Sequence, residues 1–315
     1  MPSADLPIHD QQLPQIAKID ALSVRNDVLL TNDKGQAKAP VQKRSETALR
    51  KLMPALQSVL LPGETVLYIA RANSPLTPLE AVTAAWWTRL LTASAIVFTN
   101  QRLLFFPVKR DGSWRESIRA VYWGDLEGVK PQGLLVRNIV FKSKNGTKTT
   151  YTNFRRGDAK KIAAISKAFL PTASGEMTSA HGFVQLCPGC RNVLTVGHYL
   201  CPSCGLIFKN EKTMVMQSIL LPGGGYFYTG HPLIAILPAV VEGIFMLDIL
   251  VLLFAGLSSP TARANILPTV AVLIFFWAFE TAVTILHCRR YIRDFIPDKN
   301  SPLRACQDAP AKVGG

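Results

Sequence analysis

The chain has 315 residues, a net charge of +14 and a mean hydropathy of +0.19. That composition excludes an acidic or wholly disordered protein, and the concentration of apolar residues after Met214 divides the length into soluble units and a membrane-type third. The excess of positive charge then suits a membrane surface, or the basic flanks that orient membrane helices, better than nucleic acid.

Met1-Pro2-Ser3-Ala4-Asp5 has neither the basic start nor the apolar run of a secretory signal, so the N-terminal part is expected to stay in the cytoplasm. Residues 1–44 mix Gln, Pro, Asp and Lys with scattered apolar positions and read as a disordered segment. Residues 45–170 read as a helix followed by a β-domain. Ser45 as N-cap predicts a helix with Leu49, Leu52, Met53 and Leu56 on one face. Strand-like runs follow at 65–71, 95–98, 102–108, 117–123, 134–141 and 148–151, with turn residues such as Asn100-Gln101 and Asn145-Gly146 between them. A closing helix over 158–169 puts Ile162, Ile165 and Phe169 on one stripe. The predicted architecture is a small antiparallel β-barrel capped by a C-terminal helix.

Three stretches here carry a resemblance: Leu61-Pro62-Gly63-Glu64, the hairpin phrase from Ile96 to Phe106 containing Thr99-x-x-Arg102-Leu103, and the closing helix. Together they resemble the bacterial PH-like, GRAM-related domain over about residues 60–170, with Trp86-Trp87 an addition to its most compact form. The resemblance implies a barrel that binds lipids or peptides rather than an enzyme.

Residues 171–185 are rich in Pro, Ser, Gly and Thr and read as a linker that lets its two neighbours move independently. Residues 186–210 hold the array Cys187-x2-Cys190-x10-Cys201-x2-Cys204. Four thiolates in two short knuckles fit a tetrahedral Zn site, and two disulfides rank below that because paired C-x2-C knuckles make a poor oxidative framework. Pro188, Pro202, Gly189 and Gly205 are expected to set tight turns that aim backbone N–H groups at the sulfurs, and His198 reads as a linker residue. The phrases Cys-Pro-x-Cys and Cys-Pro-x-Cys-Gly resemble the short bacterial zinc-ribbon family, which implies Cys187, Cys190, Cys201 and Cys204 as the zinc ligands.

Residues 231–290 contain two apolar stretches, 233–257 and 266–286, each long enough to cross a bilayer. Arg289, Arg290 and Arg293 follow the second and Lys209 and Lys212 precede the first, so both ends of this hairpin and the tail 291–315 are expected on the cytoplasmic side. Residues 214–230 are apolar but broken by Pro222 and three glycines, which predicts a re-entrant or interfacial element. Pro222-Gly223-x-Gly225-x-Phe227-Tyr228-x-Gly230 resembles small bacterial membrane modules related to the TM2 domain.

Glu242, Asp248 and Glu280 are carboxylates inside the apolar stretches. Glu242 and Glu280 lie equally far along the chain from residue 261, hence at similar depth, and read either as an ion or proton site or as polar glue with Thr281 and Thr284. Residues 101–170 carry 15 Lys and Arg against 5 Asp and Glu, with Lys142, Lys144, Lys148, Arg155 and Arg156 as candidate contacts to anionic lipid. The histidines are scattered, and no catalytic constellation or phosphate loop is legible. The expected protein is a multi-pass inner-membrane adaptor or scaffold whose cytosolic head binds lipid headgroups or a protein partner. The alternative is a small homo-oligomeric transport or ion-coupled module.

Overall fold

The runs Ala95-Ile96-Val97-Phe98 and Leu103-Leu104-Phe105-Phe106 lack polar alternation because their strands, β2 (Ala93–Thr99) and β3 (Arg102–Pro107), are buried on both faces. The structure, a computed structural model, describes residues 22–77, 80, 92–133, 137–170, 182–258, 260–298 and 301. These residues form two compact units: 22–77 with 92–206, and Glu80 with 207–301.

The first unit is a curled antiparallel sheet. Around β2 and β3 stand β1 (Val66–Asn73), β4 (Ile118–Tyr122), β5 (Leu126–Gln132), β6 (Arg137–Ser143), β7 (Lys148–Phe154), β8 (Val184–Leu186) and β9 (Val193–Leu194), in the order β5-β6-β7-β1-β2-β3-β4-β8-β9. A single pairing, Asn73 with Thr152, joins the two halves, and register shifts at Val66/Tyr68, Leu126/Gly128 and Arg137/Ile139 bend the strands. Strand β5 went unread in the sequence. Its Glu127, Gly128, Lys130 and Pro131 mask the pattern, and it survives as an edge strand paired only to β6.

Helix α1 (Asn26–Leu29) and helix α2 (Ala39–Val59) precede the sheet, and α3 (Arg156–Phe169) follows β7. The interior is aromatic. Phe105 stacks on Tyr151 at 4.9 Å and meets Phe141 edge-on at 5.5 Å, while Trp123 stacks on Phe169 at 5.6 Å and donates from Nε1 to Thr99 O at 2.9 Å.

Residues 22–44 correct the reading of 1–44 as disordered. Leu29 and Leu30 are buried, Arg25 N–H donates to Val66 O, and Lys161 Nζ donates to the carbonyls of Val28 and Thr31. Helix α2 begins near Pro40 rather than at Ser45, whose hydroxyl donates to Leu29 O at 2.9 Å from within the helix. Residues 1–21 lie outside the described residues, as do Trp86 and Trp87 and most of the segment 171–185.

The expectation that the cysteine segment moves freely against the sheet is also corrected. Strand β8 enters that segment and is hydrogen-bonded to β4 with Ile118 opposite Leu186 and Ala120 opposite Val184, so the cysteines hang from a sheet strand.

The second unit is helical. It contains α4 (Glu211–Leu220), α5 (Gly224–Thr229), α6 (Pro232–Ser258) and α7 (Pro260–Arg293), with α6 and α7 packed as a hairpin. Two stretches, Pro232–Leu257 and Ile266–Arg293, are long and apolar enough to cross a membrane. Only 6% of the apolar window in the first and 17% of that in the second are buried, whereas the core helix of a soluble protein would be mostly buried. Neither α4 nor α5 is long enough to cross. Asn210 caps α4 by accepting from Thr213 N–H at 2.8 Å.

Candidate metal centre and the polar groups of the two units

The two knuckles are copies of one another. Cys187 N–H donates to Asn192 O at 2.9 Å and Arg191 N–H to Cys187 O at 2.9 Å; Cys201 N–H donates to Leu206 O at 2.8 Å and Gly205 N–H to Cys201 O at 2.9 Å. In this superposition Pro188 matches Pro202, and the left-handed position is Arg191 (φ +67°) in one copy and Gly205 (φ +71°) in the other. Gly189 matches Ser203, so Gly205 is the glycine at the left-handed position, while Gly189 supplies one of the N–H groups aimed at the Cys187 sulfur. Arg191 bears the strained conformation while its Nε donates to Ser58 O at 2.7 Å, at the C-terminal turn of α2, where a cation is favoured.

The four ligand atoms of Cys187, Cys190, Cys201 and Cys204 lie within 4.8 Å of one another, with 3.5 Å between the Cys187 and Cys204 sulfurs and 3.4 Å between those of Cys190 and Cys201. A tetrahedron with metal–sulfur bonds of about 2.3 Å has edges of about 3.8 Å, so the cluster fits one ion with a small outward adjustment. None of the four sulfurs is in a disulfide. Backbone N–H groups of Gly189 and Cys190 point to the Cys187 sulfur, and those of Ser203 and Cys204 to Cys201. Burial pushes the Cys187 thiol up; at Cys201 burial is outweighed by those N–H groups and the neighbouring thiols, which bring it down to about 7. A metal would draw off the remaining protons and leave four thiolates supported by backbone donors. His198 is exposed in the connecting loop, outside this cluster.

Residues singled out by the PH-like resemblance meet inside the first unit. Glu64 Oε1 accepts from Thr99 Oγ1 at 2.7 Å and from Arg102 Nε at 3.0 Å, and its Oε2 accepts from Leu61 N–H at 2.8 Å and Arg102 Nη2 at 2.9 Å. Arg102 Nη2 also reaches Val59 O at 2.9 Å. This network is structural: both ionic side chains are buried, and together they tie the end of α2 to the β2–β3 hairpin.

The basic candidates divide into two sets. Lys142 and Lys148 are register partners beside the β6–β7 turn that holds Lys144, whereas Arg155 and Arg156 lie at the far end of β7, about 23 Å along the strand. Lys142 pairs with Glu127 at 2.5 Å, while Lys144, Lys148, Arg155 and Arg156 are exposed. Lys161, counted with this face in the sequence, instead spends its ammonium on the α1 segment.

In the helical unit Glu242 Oε2 accepts from Gly223 N–H at 2.7 Å, and Oε1 is buried without a hydrogen bond. Gly223 sits at φ +66°, and a Cβ there would lie 2.6 Å from Ala235 O. Gly224 packs in the same way on the Gln217 backbone and Gly225 on Ser218 and Thr284. The hydrogen-bond partner of Glu242 is thus the backbone of the three-glycine turn, with Glu280 near enough to interact with it by charge; Thr281 Oγ1 donates to Trp277 O of its own helix at 2.9 Å. Glu280 is half-buried and Asp248 exposed. Two histidines that look scattered in the sequence acquire aromatic partners: Tyr226 Oη meets His287 Nδ1 at 2.6 Å, and the His231 ring lies 4.0 Å from that of Tyr291. Arg290 Nη1 lies 3.6 Å from the Glu80 carboxylate. The run of three glycines was the legible signal for the close approach, but the carboxylate that seals it lies 19 residues away from Gly223.

No protein family's sequence profile matches the chain, and no curated protein matches it. Among solved structures, the crystal structure of the C-terminal domain of an unknown protein from Leishmania infantum aligns at 15% identity over 40% of this chain and 97% of that one, with a TM-score of 0.27. At that score the likeness carries no argument about fold or function.

Proposed function

We propose that the protein is a membrane-anchored adaptor or scaffold, not an enzyme, whose PH-like sheet and zinc ribbon act as one cytosolic recognition head for anionic lipid headgroups. The observation that carries this reading is the β4–β8 pairing, which turns a metal centre and a sheet with exposed lysines into a single body. Zinc is the ion best suited to four thiolates in paired knuckles. The helical hairpin, resembling a TM2-like module with α4 and α5 as its re-entrant or interfacial part, anchors that head in the inner membrane. Arg289, Arg290 and Arg293 hold the end of α7 on the cytoplasmic side. Each basic residue near an anionic leaflet contributes about 1 kcal/mol, and the exposed Lys144 and Lys148 are assigned this contact.

The test uses the full chain in nanodiscs of phosphatidylserine or of neutral lipid, with hydrogen exchange read at the β6–β7 turn. Slower exchange in the anionic discs, abolished by Lys144→Gln with Lys148→Gln, is expected. Equal exchange in both lipids rejects lipid recognition and makes a protein partner the head's target. One observation favours the second reading, an ion-coupled oligomeric module: the unpartnered Oε1 of Glu242, buried in the helical unit.

A further inference from the structure

We propose that the turn between α4 and α5 holds a monovalent metal cation, sodium, about halfway through the membrane, between Glu242 Oε1 and the carbonyl oxygens that α4 frees at its C-terminal end. This deepens the second reading above and rests on α6 and α7 crossing the bilayer. The depth follows from contacts within the helical unit. Glu211, at the start of α4, pairs with Arg289 at 2.7 Å, level with the basic end of α7. The turn after α4 meets α6 at Glu242, about 15 Å along that helix from Pro232. In hydrocarbon about 30 Å thick that is the middle of the bilayer. Helix α5 then brings the chain back, since Tyr226 reaches His287 and His231 lies against Tyr291. The α4–α5 segment is therefore re-entrant.

Backbone that leaves the helix at this depth is tolerated where protein shields it or where it lines a polar site. Two carbonyls here lose their helical donors. Pro222 has no N–H to give Ser218 O, and Gly223 gives its N–H to Glu242 Oε2 at 2.7 Å instead of to Ile219 O. These oxygens carry the negative end of α4. Beside them Glu242 is 1% exposed, and its Oε1 has no hydrogen-bond partner. Glu280 is near enough to act on it by charge. The missing positive charge is not supplied by the chain: residues 213–262 and 264–288 contain no lysine or arginine. It therefore comes from solution. Oxygen donors alone suit a hard ion, and one carboxylate oxygen without a partner balances a single positive charge. A half-helix C-terminus and unwound carbonyls at the midplane are the groups with which membrane proteins hold sodium.

The experiment uses the full chain purified in mild detergent, with radioactive sodium as the probe and the melting temperature as a second readout. Saturable binding of about one sodium per chain is expected, with a melting temperature that rises in sodium chloride and not in choline chloride of equal ionic strength. Glu242→Gln, which keeps the bond from Gly223 but loses the charge, should abolish both responses while melting in choline chloride like the unsubstituted chain. Asp248→Asn, which alters an exposed carboxylate of the same helix, should keep both. Absence of saturable binding by the unsubstituted chain, binding retained in Glu242→Gln, or displacement of the probe by less calcium than unlabelled sodium overturns the site. A melting temperature that ignores sodium but rises on acidification, and only with Glu242 in place, overturns it in favour of a bound proton. Release of the chain from native membranes by alkaline carbonate overturns the membrane reading beneath it, whereas retention in the bilayer without sodium binding overturns the site alone.

Discussion

Glu64 and Glu242 are buried to nearly the same extent, at 3% and 1% exposure, and the two units treat them in opposite ways. Glu64 accepts four hydrogen bonds, two of them from the guanidinium of Arg102, and so serves as a fixed peg between α2 and the β2–β3 hairpin. Glu242 accepts one, from the backbone of Gly223, and keeps an oxygen without a partner. The sheet unit specifies its fold by satisfying polar groups around an aromatic core. The helical unit does so by omitting side chains, so that three glycines let the backbone close on its neighbours, and it leaves a carboxylate with unmet capacity.

The largest effect is expected where the satisfied carboxylate loses its cation. Arg102→Met should destabilise the sheet unit by about 3–5 kcal/mol, read by urea unfolding, whereas Glu64→Leu combined with Arg102→Met should recover much of that loss because no lone charge is left buried. Equal loss in both would show that packing, not the ion pair, carries the effect. In the helical unit Gly223→Ala should cost about 2–4 kcal/mol, from the left-handed backbone and the overlap with Ala235 O, read as a fall in melting temperature in mild detergent.

A pH dependence follows from the α1 segment. Burial holds the Lys161 ammonium down to about 8, against the attraction of Asp158, while an unfolded lysine keeps the ordinary 10.5. Between those values the unfolded chain binds a proton that the folded chain has released, so stability rises with pH across this window, by at most about 3 kcal/mol. Lys161→Met should flatten that rise relative to the unsubstituted chain; an unchanged slope would mean that Lys161 is not its source. The smallest change is expected for Glu242→Gln, whose amide oxygen still accepts from Gly223. A shift within about 0.5 kcal/mol in sodium-free buffer agrees with an anchor that works through this one acceptor, and a loss of several kcal/mol there contradicts it.

What the sequence revealed follows the range of the interactions. The two knuckles were legible because a two-residue spacer is a local requirement of a shared ion, and β2 and β3 because uninterrupted apolar runs report burial on both faces. Strand β5 was hidden by Gly128 and Pro131, which only an edge strand tolerates. Residues 22–44 looked disordered because the groups that hold Leu29 and Leu30 down, Val66 and Lys161, are distant in the chain. Arg191 reads as one more surface cation until its left-handed backbone and its bond to Ser58 O are seen together. Among the candidate site residues, the four cysteines come together as the spacing required, the basic set separates into two groups, and Glu242 takes its hydrogen bond from Gly223 while Glu280 stays near enough to interact with it by charge.

Hydrogen exchange before and after chelation decides whether a metal held by the four cysteines and the curled sheet form one body. Purified protein should contain one zinc per chain, and its removal should release protection in β8 and also in Ile118 and Ala120 of β4, which β8 covers. Protein without bound metal, or chelation that frees the cysteine segment and leaves β4 as protected as before, would contradict it.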